Sequence, residues 1–198
     1  MTWLIWAIVI VALGHLGLAL VLPFNRHKTL PFPDAPPPLS APSVHILVPA
    51  RNEAANIADC VRSLLEQDYA KLRVRVIDDS STDGTAEIVR KLMIEDARRE
   101  LFTAPALPAG WLGKPHALHA GTRGLVADYL LFIDADVRLR PDAVRGAVLV
   151  AEKTGAGLVT FVPRVDARSF WERAVQPVIF QLLFGLLDPK RVHDADSE

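Results

Sequence analysis

The feature that most constrains this chain is a repeated pattern, an apolar run that ends in acid and is followed by helical periodicity. VHILV (44–48) leads into PARNE with Glu53, LRVRVI (72–77) into Asp78 and Asp79, and YLLFI (129–133) into Asp134 and Asp136. LFTA (101–104) and GLVTFV (157–162) read as further strands. Between them, Ile57, Val61, Leu64 and Leu65 share one helical face, as do Ile88, Val89, Leu92, Met93 and Ala97. Thr82 or Asp83 is the expected N-cap of the second helix. KPHALHAGTRGLVA reads as a third helix, and Pro141 opens a fourth. Strands alternating with helices predict an α/β fold, a Rossmann-like, mostly parallel sheet with helices on both faces. The unbroken apolarity of YLLFI predicts a strand buried on both sides.

In such a sheet, ligands bind at the carboxyl ends of the strands, where this pattern puts Glu53, Asp78, Asp79, Asp134 and Asp136. Carboxylates gathered along one edge repel unless a cation joins them. Mg²⁺ or Mn²⁺ carrying a diphosphate meets that need, because these ions combine a few hard protein oxygens with phosphate and water. Lys114, in GWLGKPHAL, supplies a further positive charge to the same phosphates. A second D-x-D, Asp194 and Asp196, follows no strand and reads as a solvated tail. Local explanations compete at three positions: Glu53 as a helix N-terminal charge, Asp78 and Thr82 as turn and capping residues, Lys114 as a solvated loop lysine.

The remaining sequence bounds the setting. Trp3–Leu22 holds no formally charged residue and as a helix would reach about 30 Å, the thickness of a bilayer core. A cleaved signal peptide fits poorly, lacking a basic n-region and an A-x-A-like site. Arg26, His27 and Lys28 follow at once, which predicts a single-pass anchor with its N-terminus outside. His15, in mid-span beside Gly14 and Gly17, reads as a packing residue. Prolines make up half of PFPDAPPPLSAP (31–42), a stiff spacer. The expected organisation is an anchor (1–24), a basic flank and linker (25–43), an α/β ligand-binding domain (44–169), and an apolar helix with a polar tail (170–198). The run 177–187 is too short to span a bilayer and reads as an interfacial or core helix. A net charge of -1 gives no case for nucleic acid as partner, and a single cysteine excludes a disulfide or a Cys-rich zinc site. His116 and His119 have no third ligand nearby in sequence, so zinc is not expected there.

Other α/β chemistries lack their signatures. PARNEAAN has no glycine for a dinucleotide fingerprint, and neither a G-x-x-x-x-G-K-[ST] loop nor a G-x-S-x-G elbow occurs. A haloacid-dehalogenase D-x-D would lie on the first strand, with Thr or Val where Arg138 stands. By contrast, ILVPARNEAANI, VIDDSSTDGTAEIV, the GWLGK loop and FIDADVRLRPDAV, in this order, resemble family 2 glycosyltransferases of the GT-A fold. LPAGWLGKPHAL and SFWERAVQPVIF are similar to the hopanoid-associated, membrane-anchored bacterial branch. The resemblance implies that Pro49, Ala50, Arg51 and Glu53 line a nucleotide pocket. It implies Asp79 at the base, Lys114 on the phosphates, Asp134 near the ribose and metal, and Asp136 on the metal. It also implies a nucleotide-sugar donor, a UDP-sugar foremost, a lipid or saccharide acceptor, inverting chemistry, and a cytoplasmic catalytic domain on the bacterial inner membrane.

Inverting members need a base to deprotonate the acceptor hydroxyl, an acidic residue well downstream of the D-x-D. The chain stops at Glu198 before any such motif, so no residue is assigned as base. Two alternatives to an enzyme stand beside it: a non-catalytic nucleotide-sugar-binding module, and a partial gene product with an exposed apolar patch. Phe170, Trp171 and Phe180 suit either a membrane-dipping acceptor platform or plain core packing.

Overall fold

The computed structural model describes residues 2–25, 41–93, 98–161, 166–167 and 169–186. Two compact units divide the chain, 32–161 and the pair 1–31 with 162–198. The basic flank, most of the proline spacer, Ala97 and the second D-x-D lie outside the described residues.

The larger unit is built on a parallel sheet of β1 (Val44–Ala50), β2 (Leu72–Asp78), β3 (Arg99–Thr103) and β4 (Tyr129–Phe132), in the order β3-β2-β1-β4. Strand alternation sorts the side chains onto two faces. Val44, Ile46, Val48 and Ala50 of β1 join Leu72, Val74 and Val76 of β2 on one face. Against them pack α2 (Ile57–Leu65), α3 (Thr85–Met93) and α5 (Ala143–Thr154), through Ile57, Cys60, Val61, Leu64, Val89, Val144 and Val148. Ile46, Val48, Ile57, Val61 and Val76 are fully buried, each contributing about 1.5–3 kcal/mol of transfer free energy. On the opposite face Leu47 and Ile77 meet α4 (Gly113–Thr122) through Ala117. The approach is close: a Cβ on Gly121 would lie 2.3 Å from Ile77 Cδ1, so only glycine lets α4 sit this near the sheet.

Two strand expectations fail. β4 is not buried on both sides. Tyr129, Leu131 and Ile133 face the core, whereas Leu130 and Phe132 are 43% and 52% exposed. Among the described residues, the α4 face has one helix to cover four strands, and that helix sits over β1 and β2. The run 157–161 forms no strand, with Leu158 86% exposed; apolar character supplies the tendency to pair, but no described neighbour supplies the ladder. Val162 lies outside the described residues.

In the other unit, α1 (Thr2–Asn25) and α6 (Phe170–Leu186) contact one another. α1 is 24 residues long. Among the described residues no helix is long and apolar enough to cross a membrane; side chains over much of the second half of α1, His15 included, are not among them. Phe170 and Trp171 are three-quarters exposed and pack edge to face.

Candidate nucleotide-sugar site

The strands β1, β2 and β4 share a register that brings their carboxyl ends to one edge. There a cleft of about 240 Å³ is lined by Pro49, Ala50, Arg51, Glu53, Asp79, Lys114, Ala117, Asp134, Ala135 and Asp136. All eight residues given a binding role by the resemblance, Pro49, Ala50, Arg51, Glu53, Asp79, Lys114, Asp134 and Asp136, lie on it. Asp78 does not, though it is buried; its carboxylate accepts the Ser81 amide at 3.3 Å, a turn role.

The loops after β1 and β2 are braced against each other. Asn52 adopts a left-handed φ of 57°, a conformation asparagine tolerates better than most residues, and Ser80 does the same at 61°. The Asn52 side chain accepts the Thr82 amide at 2.8 Å, and the Asn52 amide donates to Ser81 Oγ at 3.1 Å. Glu53 N–H donates to the hydroxyl of fully buried Thr85, and Ala54 N–H to the Asp83 carboxylate, both at 2.9 Å. Asp83 also accepts the Thr85 amide at the start of α3. Of the two expected caps, Asp83 serves the helix start, while Thr82 ties the loops together. The Thr85 hydroxyl foremost, then the Ala54 amide, holds the Asp83 carboxyl below the usual range.

The brace carries Arg51 and Asp79 to the cleft. Asp79 is buried, its amide donates to Ala50 O at 2.9 Å, and Arg51 Nη1 stands 3.8 Å from Asp79 Oδ2. A Cβ on Gly113 would come within 3.1 Å of that same oxygen. The glycine thus leaves room for α4 to start beside Asp79 and to place Lys114 on the cleft wall.

Beyond Phe132 the chain still alternates. Asp134 and Asp136 are exposed on the cleft, and Ala135 between them is buried in the core. A turn closes with Val137 N–H donating to Asp134 O at 3.1 Å. Lys114 Nζ lies 2.6 Å from Asp134 Oδ1. Glu53 is partly buried and accepts Asn56 Nδ2 at 3.1 Å, so a local role and a cleft position coexist. His116 and His119 do not converge on a ligand: Trp111 stacks on His119 at 5.1 Å and meets His116 edge-on at 5.7 Å.

Among the described residues, no group of three or more His, Cys, Asp or Glu side chains gathers to hold a metal. The donor set is two exposed carboxylates on one turn. That suits a hard divalent ion held by one or two carboxylates, with phosphate oxygens and water completing its shell. It does not suit an ion needing a full protein cage.

Sequence reasoning passed over the polar residues that hold these loops: Asn52, Thr85, and the row Asp59, Ser63 and Gln67 along α2 and just after it. Their partners lie far away in the chain, so no local spacing marks them. Asn52 alone carried a signal, since asparagine between a strand end and a helix start favours left-handed backbone.

The chain is similar in sequence to known glycosyltransferases. The 4,4'-diaponeurosporenoate glycosyltransferase of Staphylococcus haemolyticus is 32% identical over 152 residues, covering 74% of this chain and 40% of that protein. An N-acetylglucosaminyltransferase of Rhizobium leguminosarum bv. viciae is 33% identical over 153 residues, 68% of this chain and 35% of its own length. The chain thus spans well under half of either relative. A mannosyltransferase of Pyrobaculum calidifontis, solved with GDP-Man and Mn²⁺, is 31% identical with a TM-score of 0.53, covering 71% of this chain and 41% of that one. The α/β arrangement is therefore GT-A-like. The family profile matches residues 45–195, and the chain belongs to glycosyl transferase family 2.

Proposed function

We propose that this chain carries the donor-binding part of a membrane-anchored glycosyltransferase that moves a sugar from a nucleoside diphosphate, a UDP-sugar foremost, to a lipid or saccharide acceptor. The observation that carries this reading is the convergence of Asp79, Arg51, Lys114, Asp134 and Asp136 on one cleft. Asp79, buried and acceptor-only, suits the ring N–H of the base. Arg51 and Lys114 offer positive charge to the diphosphate. Asp134 and Asp136 would hold Mn²⁺ or Mg²⁺, which when bound neutralises the diphosphate and eases its departure. The Mn²⁺ and GDP-Man of the mannosyltransferase complex support the metal and leave the base to experiment. A hopanoid-type lipid acceptor is the reading favoured by LPAGWLGKPHAL and SFWERAVQPVIF. The name of the staphylococcal relative, a diaponeurosporenoate glycosyltransferase, supports the coarser reading of a lipid-like acceptor.

Anchoring rests on the uncharged run Trp3–Leu22 and the basic cluster after it, which together support an N-terminus outside and the cleft in the cytoplasm. An impermeant thiol reagent applied to intact cells decides the orientation. A cysteine placed at Ser40 should stay unlabelled until lysis, and labelling before lysis would reverse it. For donor binding, calorimetric titration of the chain with UDP and GDP, with and without Mn²⁺, should show a metal-dependent gain for one nucleotide. Lack of binding by both would end the donor reading.

A further inference from the structure

The acidic turn hangs from β4, a short edge of the described sheet: four residues, paired among the described residues to β1 alone, with one face exposed. What holds the turn is helix α2 and the residues just after it. Cys60 Sγ donates to Asp134 O at 3.8 Å, and Arg138 donates to Asp59 Oδ2 at 2.9 Å. Leu139 N–H donates to Ser63 Oγ at 3.1 Å. Gln67 uses both ends of its amide, donating to Arg140 O at 2.7 Å and accepting Val144 N–H at 3.1 Å. Asp68 N–H adds a bond to Pro141 O at 2.9 Å, and Arg145 Nε pairs with the Asp68 carboxylate at 3.0 Å. The contacts advance as groups, Asp59 and Cys60 meeting 134 and 138, Ser63 meeting 139, and Gln67 with Asp68 meeting 140–145, so the two segments are joined along their length.

We infer that this polar row of α2 positions the Asp134–Asp136 turn, and that Ser63 and Gln67 are positioning residues for metal-dependent donor binding. Asp136 sits between two anchored points, the Asp134 carbonyl and the Leu139 amide. Release of the second lets the turn open at Val137 and swings the Asp136 carboxylate away from the cleft. Among the described residues two exposed carboxylates supply the protein donor set, and no described third ligand corrects the error. The loops after β1 and β2 are braced separately, so Asp79 and Arg51 should not move. This inference rests on the metal-dependent donor reading above.

The test compares nucleotide affinity with and without Mn²⁺ in the full chain. A partner bonded directly to a ligating side chain commonly carries about 10- to 100-fold in metal affinity. Ser63 and Gln67 act on the backbone behind the turn, so the low end, about 10-fold, is expected. The Ser63→Ala, Gln67→Met double variant should therefore lose most of the Mn²⁺-dependent gain in affinity for UDP or GDP. Its metal-free affinity should stay within about 2-fold of the parent, as expected for sites without shared partners. Ser63→Thr, which keeps the hydroxyl, should retain the gain. A merely structural role would lower both affinities together or neither. If Asp136→Asn abolishes the gain but the double variant keeps it, the positioning role falls and the metal reading stands. If the gain survives Asp136→Asn, both fall. Should the double variant fail to fold, Ser63→Ala alone is judged by the same outcomes.

Discussion

The two halves of the cleft are held in different ways. Toward β2, the loops at 50–54 and 78–85 grip each other through Asn52, Thr82, Asp83 and Thr85. They enclose Asp79, whose side chain is only 12% exposed. Toward β4, the turn at 134–136 is gripped from behind by α2, while its carboxylates face the cleft, the Asp134 side chain 59% exposed. A mutual brace suits recognition of a flat, neutral ring by fixed hydrogen bonds. A one-sided clamp leaves the carboxylates hydrated, which suits the ion and diphosphate of the proposed function. The comparison predicts that the halves can be broken independently.

The largest effect should come from Asp136→Asn. An amide offers a divalent ion a neutral oxygen in place of a full charge, a loss on the order of 2–4 kcal/mol by analogy with breaking a buried charge pair. Affinity for UDP or GDP in Mn²⁺ should fall roughly thirty- to several-hundred-fold, and metal-free affinity should not. Asp194→Asn with Asp196→Asn serves as the control and should leave both unchanged. Equal losses in the two variants would remove the distinction between the triplets.

Next in size is Thr85→Val, aimed at the brace. The side chain is fully buried, and its hydroxyl accepts Glu53 N–H. Valine keeps the shape and leaves that donor unpaired, which costs about 1–3 kcal/mol. Thermal unfolding should shift down accordingly, and metal-free nucleotide binding should weaken. The fold-gain from Mn²⁺ should persist, because the α2 clamp is untouched. Loss of that gain would show that the halves are one unit.

Much of this arrangement was legible because it is local. Apolar runs ending in Asp78–Asp79 and Asp134–Asp136 mark strand ends by themselves, and parallel topology then dictates that they meet. The clamp was not legible: α2 was found by its apolar face, Ile57, Val61 and Leu64, while Asp59 and Ser63 beside that face, and Gln67 just after the helix, look like ordinary solvent-facing residues. Their partners are more than 70 positions away, and such pairings leave no period in the sequence. The exposed face of β4 was missed for a related reason, since apolarity at Leu130 and Phe132 records a demand for cover without saying what meets it.

Lys114→Met tests the border between the halves. Its ammonium pairs with Asp134 at 2.6 Å, but both side chains are more than half exposed, so the pair contributes no more than about 1 kcal/mol. Without the lysine, Mn²⁺ alone should bind slightly better, because Asp134 loses a competing cation. Nucleotide should bind a few-fold worse, because the diphosphate loses a positive neighbour. Opposite signs place Lys114 between the carboxylates and the phosphates; equal signs would make it a general contributor to the field of the cleft.

The smallest effect is a pH dependence shared by both halves. Asp83 in the brace is held below the usual carboxyl range by the Thr85 hydroxyl first, and Asp59 in the clamp by its hydrogen bond from Arg138 first. A depressed folded-state pKa means that the unfolded chain takes up protons first on acidification. The contribution of each group is complete above the ordinary carboxyl pKa, about 4, and is lost as pH falls through the lower folded value. These two carboxyls should therefore add no slope between pH 7 and 5, where buried His45, its pKa lowered by burial, already loses stability as the unfolded chain takes up its proton. Their own loss should appear below about 4. Asp83→Ser removes one of these titrations and keeps a hydroxyl to accept a hydrogen bond. Its thermal midpoint should start below the parent's at pH 7 and converge toward it at pH 3. Parallel curves would mean that Asp83 does not titrate in this window, and the brace would then owe its strength to Asn52 and Thr85 alone.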